Sequence, residues 1–137
     1  MSDVIMSPRG PQPVGAYPHA RRVGDLLYLS GMGPRRKGDT EIPGVTLGDN
    51  GEILDYDIAA QTKAVFDNIR FILEDAGSRW ENIVDVTVFL TNIKEDFATF
   101  NTLYAEYFGE LKPARTTVEV RALPTPIAVE LKVIAMA

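Results

Sequence analysis

Residues 55–76 read DYDIAAQTKAVFDNIRFILEDA, and the spacing of their apolar members decides the fold. Ile58, Val65, Phe66, Ile69, Ile72, Leu73 and Ala76 recur at the helical period, so one stripe of a helix turns toward a core. Asp55 or Asp57 can cap its start by accepting from unpaired N–H groups, and Gly77 can end it in a left-handed turn. The next segment alternates instead. From Ile83 to Leu90, Val84, Val86, Val88 and Leu90 fall on one face and Asp85 and Thr87 on the other, which is the period of a strand. Lys94 to Phe108 returns to the helical period, with Phe97, Phe100, Tyr104, Tyr107 and Phe108 as its buried stripe. Arg115 to Arg121 alternates again. The pattern predicts Thr116, Val118 and Val120 inward, with Arg115, Thr117, Glu119 and Arg121 pointing the other way. After the Leu123-Pro124-Thr125-Pro126 break, Ile127 to Met136 is a last strand, with Ile127, Val129, Leu131 and Val133 on one face and Ala128, Glu130 and Lys132 on the other. Upstream, Leu26 to Ser30 lies between Gly24-Asp25 and Gly31 and reads as a short strand; Gly31 to Gly51, rich in glycine, is a long loop or loose hairpin.

The order strand, loop, helix, strand, helix, strand, strand predicts an α+β layer with both helices on one side of a sheet. One domain over residues 1–137 accommodates it, since 137 residues bury roughly two-thirds of the unfolded chain's surface. Ala128, Ile134 and Met136 leave apolar groups on the uncovered face, so an oligomer that buries this face is expected.

Composition narrows the function. There is no cysteine, which removes disulfides, thiolate zinc sites and a cysteine nucleophile. One histidine, His19, rules out a multi-histidine metal site. The net charge of −5 sets the global field against nucleic acid. No apolar run reaches the roughly 18 residues of a membrane span, and Met1 to Gly15 has prolines but no apolar signal core, so the expectation is a cytoplasmic protein without a membrane partner. No Walker lysine motif and no Gly-x-Gly-x-x-Gly occur.

Several residues can carry chemistry. Arg115 heads a strand after Pro113-Ala114 and presents a permanently charged planar fork that matches a carboxylate. Glu130 interrupts the apolar run Ile127 to Ile134, a place from which a carboxylate can orient water or shuttle a proton. Tyr17 and His19 lie in a loop after Gly15, where the tyrosine can cover a ligand and the histidine reads as solvent-facing. Ser30-Gly31 ends a strand and offers amide donors with close backbone access. Asn101 sits beside Phe100 on the second helix, and Arg35-Arg36-Lys37 is a compact cationic cluster in the long loop.

These features occur together in a recognisable order. Gly15-Ala16-Tyr17 is followed by Leu29-Ser30-Gly31, by Gln61-Thr62 through Asn68-Ile69, by Val86-Thr87-Val88-Phe89 leading to Asp96-Phe97 and Asn101, by Pro113-Ala114-Arg115-Thr116-Thr117-Val118-Glu119-Val120 with Leu123-Pro124, and by Val129-Glu130 before Ile134-Ala135. Over essentially the whole chain this resembles the reactive intermediate deaminase family (Rid, or YjgF-type). The resemblance implies a chorismate-mutase-like fold, a single mixed sheet with two helices on one face, and a homotrimer with clefts between subunits. It also implies hydrolysis of imines or enamines derived from amino acids, with no metal and no organic cofactor. Carried over, Arg115 would bind the substrate carboxylate and Glu130 would position the attacking water, while Tyr17, Ser30, Gly31 and Asn101 would line the cleft. Met32 stands where the family often has Gln. Thr117 stands where many members have Cys, so any role of that thiol passes to a hydroxyl or vanishes. The segment from Met32 to Gly51 is longer than usual. That segment, Ser7-Pro8-Arg9-Gly10 and Tyr17-Pro18-His19 look most similar to members that deaminate 2-aminomuconate, a small dicarboxylate. A second anion needs a second cation, and Arg35, Arg36, Lys37 and His19 are the expected sources.

Overall fold

The computed structural model describes residues 3–137. Among these residues eight strands and two α-helices run in the order β1 (Asp3–Ile5), β2 (Ala20–Val23), β3 (Leu26–Leu29), β4 (Val45–Leu47), β5 (Ile53–Tyr56), α1 (Ile58–Asp75), β6 (Ile83–Leu90), α2 (Ile93–Phe108), β7 (Ala114–Glu119) and β8 (Val129–Met136), with a 3-10 turn at Trp80–Asn82 before β6. Six strands form one sheet in the order β1-β2-β3-β8-β6-β7. The β6–β7 pair is parallel, with α2 as its crossover, and every other pairing in the sheet is antiparallel. The sheet is therefore mixed. It is not the only sheet: β4, inside the segment Gly31 to Gly51 read as a long loop or loose hairpin, pairs with β5, just past its end, as a separate hairpin.

The α1 helix begins where Asp57 accepts hydrogen bonds from the N–H groups of Ala59 and Ala60. Asp55 belongs to β5 instead of the helix. Past its end, Gly77 turns at φ +82°, and the Arg22 guanidinium donates to the Ala76 carbonyl at 2.8 Å. Asn92 caps α2 by accepting from the Glu95 N–H. Phe66, Ile69, Ile72 and Leu73 of α1 and Phe100 and Phe108 of α2 close over Val86, Val88, Leu131 and Val133 of the sheet, all buried in one core. Phe97 and Tyr107, expected in the buried stripe of α2, stay 39% and 37% exposed at its margins.

Two strand readings are corrected. The β6–β8 register shifts between Ile83 and Asp85, so Val84 is turned outward and Ile83 takes the buried place expected for it. The face of β7 is reversed. Arg115 lies opposite Val86, which lies opposite Val133, and both valines are in the helix-covered core. Residues directly opposed across strands share a face. Arg115 and Thr117 therefore point to the α2 side, while Thr116 and Val118 point to the open face. Glu130 lies opposite Phe89, and Phe89 opposite Val118, so Glu130 belongs to that open face too. The two charges most expected to act together stand on opposite faces of one sheet.

Candidate active site

The cation half of the site is built on β7 and α2. The Arg115 Nε donates to the Thr117 hydroxyl at 2.7 Å, and one Nη donates to the Asn101 side-chain carbonyl at 2.7 Å. Its guanidinium stacks on Tyr104, 4.5 Å from the ring centroid, with Phe100 at 5.3 Å and Phe97 at 5.8 Å. No carboxylate pairs with it among the described residues. Burial pulls its pKa below the usual arginine value, opposed by the Tyr104 hydroxyl. A half-buried cation, oriented by two hydrogen bonds and lacking a counter-charge, is prepared for an anion. Tyr104 is the ring that sequence reasoning left in the hydrophobic stripe. Its signal was the spacing of Phe97, Asn101 and Tyr104, which puts three residues on one helix face.

The carboxylate half is a cleft at the other side of the sheet. Tyr17, Ser30, Gly31, Arg35, Ile127 and Glu130 line it, together with the proline-rich stretch from Pro11 to Pro18. Glu130 has no hydrogen-bond donor or ion-pair partner among the described residues, and burial raises its pKa above the ordinary carboxylate value. Gly31 leaves room for it: a Cβ there would lie 2.5 Å from Glu130 Oε2 and would push the carboxylate from its place. The Ser30 hydroxyl donates to the Pro18 carbonyl at 2.7 Å and its N–H to the His19 carbonyl at 3.0 Å. Of the two expected amide donors, Ser30 N–H is thus engaged in holding the loop, while Gly31 N–H carries no partner among the described residues. Tyr17, 41% exposed, accepts from the Val14 N–H on its hydroxyl and lines the cleft.

His19 is buried, not solvent-facing. Its Nδ1 accepts from the Ser7 N–H at 2.8 Å and its Nε2 meets the Pro11 carbonyl at 2.7 Å, which sets the neutral tautomer with Nε2 as donor. A ring engaged at both nitrogens is a brace for the N-terminal segment. Arg36 reaches Asp67 on α1 at 3.5 Å, outside this cleft, whereas Arg35 lines it. Among the described residues no group of three or more His, Asp or Glu side chains gathers as a metal site, and no helix is long and apolar enough to cross a membrane.

A small α+β domain carrying one unpaired cation in an aromatic notch and one unpaired, desolvated carboxylate in a cleft has the equipment to bind a carboxylate and move a proton. Comparison with known proteins places it more narrowly. The endoribonuclease L-PSP family model matches residues 8–137. A RutC family protein of Pyrococcus abyssi is 42% identical over 133 residues, covering 97% of this chain and 95% of that protein. A solved structure of YyfA from Yersinia pestis, described as a protein of unknown function of the conserved Rid family, is 37% identical with TM-score 0.83, and all of each chain is covered. A structure of Escherichia coli TdcF with bound serine is 29% identical with TM-score 0.83, covering 98% of both chains. The chain belongs to the Rid/YjgF family, whose model is named endoribonuclease L-PSP. Its two helices on a mixed sheet are the chorismate-mutase-like fold of these neighbours. Members of the family are in general imine deaminases, and some carry endoribonuclease names.

Proposed function

We propose that this chain is a hydrolytic deaminase of 2-aminomuconate, acting in a homotrimer at clefts where Arg115 of one subunit meets Glu130 of the next. One observation carries this reading: two unpaired, desolvated charges sit on opposite faces of one sheet. A single subunit keeps them apart, whereas a neighbouring copy that turns its edge strand β7 and its α2 side toward the open face of the first would bring one of each together. The open face supports such burial, since Tyr28, Val118 and Met136 remain 39%, 38% and 48% exposed on it. The serine bound to the TdcF relative supports a ligand with an amino acid's carboxylate. The choice of 2-aminomuconate rests on the opening motif and long loop described above.

The chemistry follows from the charges. Arg115 holds the carboxylate next to the reacting carbon. The enamine takes a proton on carbon and becomes a protonated imine, and the proton lost later, when the hydroxyl of the carbinolamine becomes the product carbonyl, replaces the one taken here. Water adds to the imine carbon as Glu130 accepts its proton, and the raised pKa of Glu130 brings it nearer the range where it can also give that proton back. The carbinolamine then receives the proton on nitrogen, the C–N bond breaks, and ammonia and 4-oxalocrotonate leave. One water enters and one ammonia departs. Gly31, which lines the same cleft and whose N–H carries no partner among the described residues, would offer a donor to the reacting group.

Ammonia release tests the reading. The purified protein is expected to release ammonia faster from freshly generated 2-aminomuconate than from 2-aminoacrylate. Release from 2-aminoacrylate alone would remove the dicarboxylate assignment, and release from neither would remove the deaminase.

A further inference from the structure

We infer that Arg35 is a second anion-binding point in the Glu130 cleft and makes that cleft selective for ligands with an additional acidic group at the end away from the reacting carbon. This deepens the deaminase reading and rests on it for the reaction, although the binding test below stands apart from turnover.

The placement of Arg35 is built, not incidental. Asn68 on α1 is 1% exposed, and its side-chain amide donates to the backbone carbonyls of both Gly33 (3.0 Å) and Arg35 (2.6 Å). Pro34 between them is buried. A buried amide on two carbonyls of one short segment fixes the path of the loop where it enters the cleft wall. From that base one Nη of Arg35 donates to the Gln12 carbonyl at 2.7 Å, which ties the guanidinium to the proline-rich stretch whose Pro11 and Pro13 line the cleft. The rest of the guanidinium has no partner among the described residues, and no carboxylate lies within ion-pair distance.

The contrast with its neighbour is informative. Arg36 pairs with Asp67, which also meets Arg70 at 3.3 Å, so its charge is engaged on the helix surface. Arg35 and Glu130 line the same cleft, yet no ion pair joins them. Opposite charges held in one cleft without neutralising each other leave both available to a ligand. Val14, Tyr17 and Ile127 contribute apolar surface to the same cleft. That combination suits an unsaturated carbon chain ending in a carboxylate at Arg35, with the reacting carbon at Glu130.

Titration calorimetry with two stable probes tests this. Muconate and sorbate share a six-carbon diene skeleton and differ in the second carboxylate. The wild type is expected to bind muconate at least about tenfold tighter than sorbate, the effect of one charge-assisted clamp. Arg35→Gln is expected to weaken muconate by about tenfold or more while leaving sorbate unchanged. Arg35→Lys, which keeps the charge but not the fork, restores part of the preference. Arg36→Gln leaves both affinities as they are. A wild type without muconate preference overturns the inference. So does a preference that survives Arg35→Gln, or an equal loss of both probes in a variant with an unchanged circular dichroism spectrum. An Arg35-dependent muconate preference in a protein that releases no ammonia would sink the deaminase reading and leave this inference standing.

Discussion

Arg115→Ala is expected to lower kcat/KM for the imine substrate by about 10² to 10⁴, because two charge-assisted bonds of ~1.5–3 kcal/mol each leave with the guanidinium fork. Stability should not follow. The arginine is half-buried without a counter-charge, and its burial already disfavours the charged form, so removing it relieves a desolvation cost. The melting temperature of Arg115→Ala should therefore equal or exceed that of the wild type while activity collapses. Arg115→Lys keeps the charge over Tyr104 but loses the planar fork to Asn101, Thr117 and substrate. Its loss should be intermediate, about tenfold to a hundredfold. Steady-state kinetics beside thermal melts reads both quantities, and unchanged kcat/KM in Arg115→Ala would remove the carboxylate role.

Glu130→Gln is expected to lower kcat by about 10² to 10⁴ with a much smaller change in KM, the range for a positioned acid–base group. The pH dependence has a definite sign. In the proposed mechanism Glu130 acts on water as the ionised form, so activity is expected to fall as pH drops through its pKa. Burial raises that pKa, and the acid limb should therefore lie above the ordinary carboxylate range. The residual activity of Glu130→Gln should lack that limb. Linkage gives a second sign. A carboxyl whose pKa is raised on folding binds its proton more tightly in the folded state, so stability is lost as pH climbs through the raised value. Gln carries no such cost. The variant should melt at a higher temperature than the wild type near neutral pH and at the same temperature well below the ordinary carboxylate pKa.

Much of this was legible before the structure, and the failures have physical causes. The α1 helix, β6 and β8 carry strong periods because each has one deeply buried side, and they fell where expected apart from end residues. The face of β7 was misread because its apolar residue, Val118, lies on an open sheet face that is itself apolar, while the helix-covered side holds a cation resting on rings. A hydrophobic pattern reports which side avoids water in the assembly, and that need not be the side under the helices. The short strands β1, β2, β4 and β5, three or four residues each, are too brief for any period to show. His19 looked like a loop histidine because its partners are backbone groups of Ser7 and Pro11, far along a segment without pattern. Arg35 and Arg36 are indistinguishable as neighbours in sequence. Only the clamp of Asn68, 33 residues away from Arg35, and the pull of Asp67 separate their roles.

Subunit complementation tests the central claim most directly. Arg115→Ala and Glu130→Gln, each inactive alone, are mixed in equal amounts, unfolded, refolded together and assayed for ammonia, with native mass spectrometry to count mixed trimers. If each site joins Arg115 of one subunit to Glu130 of the next, random assembly rebuilds intact pairs at about a quarter of the sites, so up to about a quarter of wild-type activity returns. Mixed trimers with no activity beyond the sum of the two variants would show that the two charges never share a site.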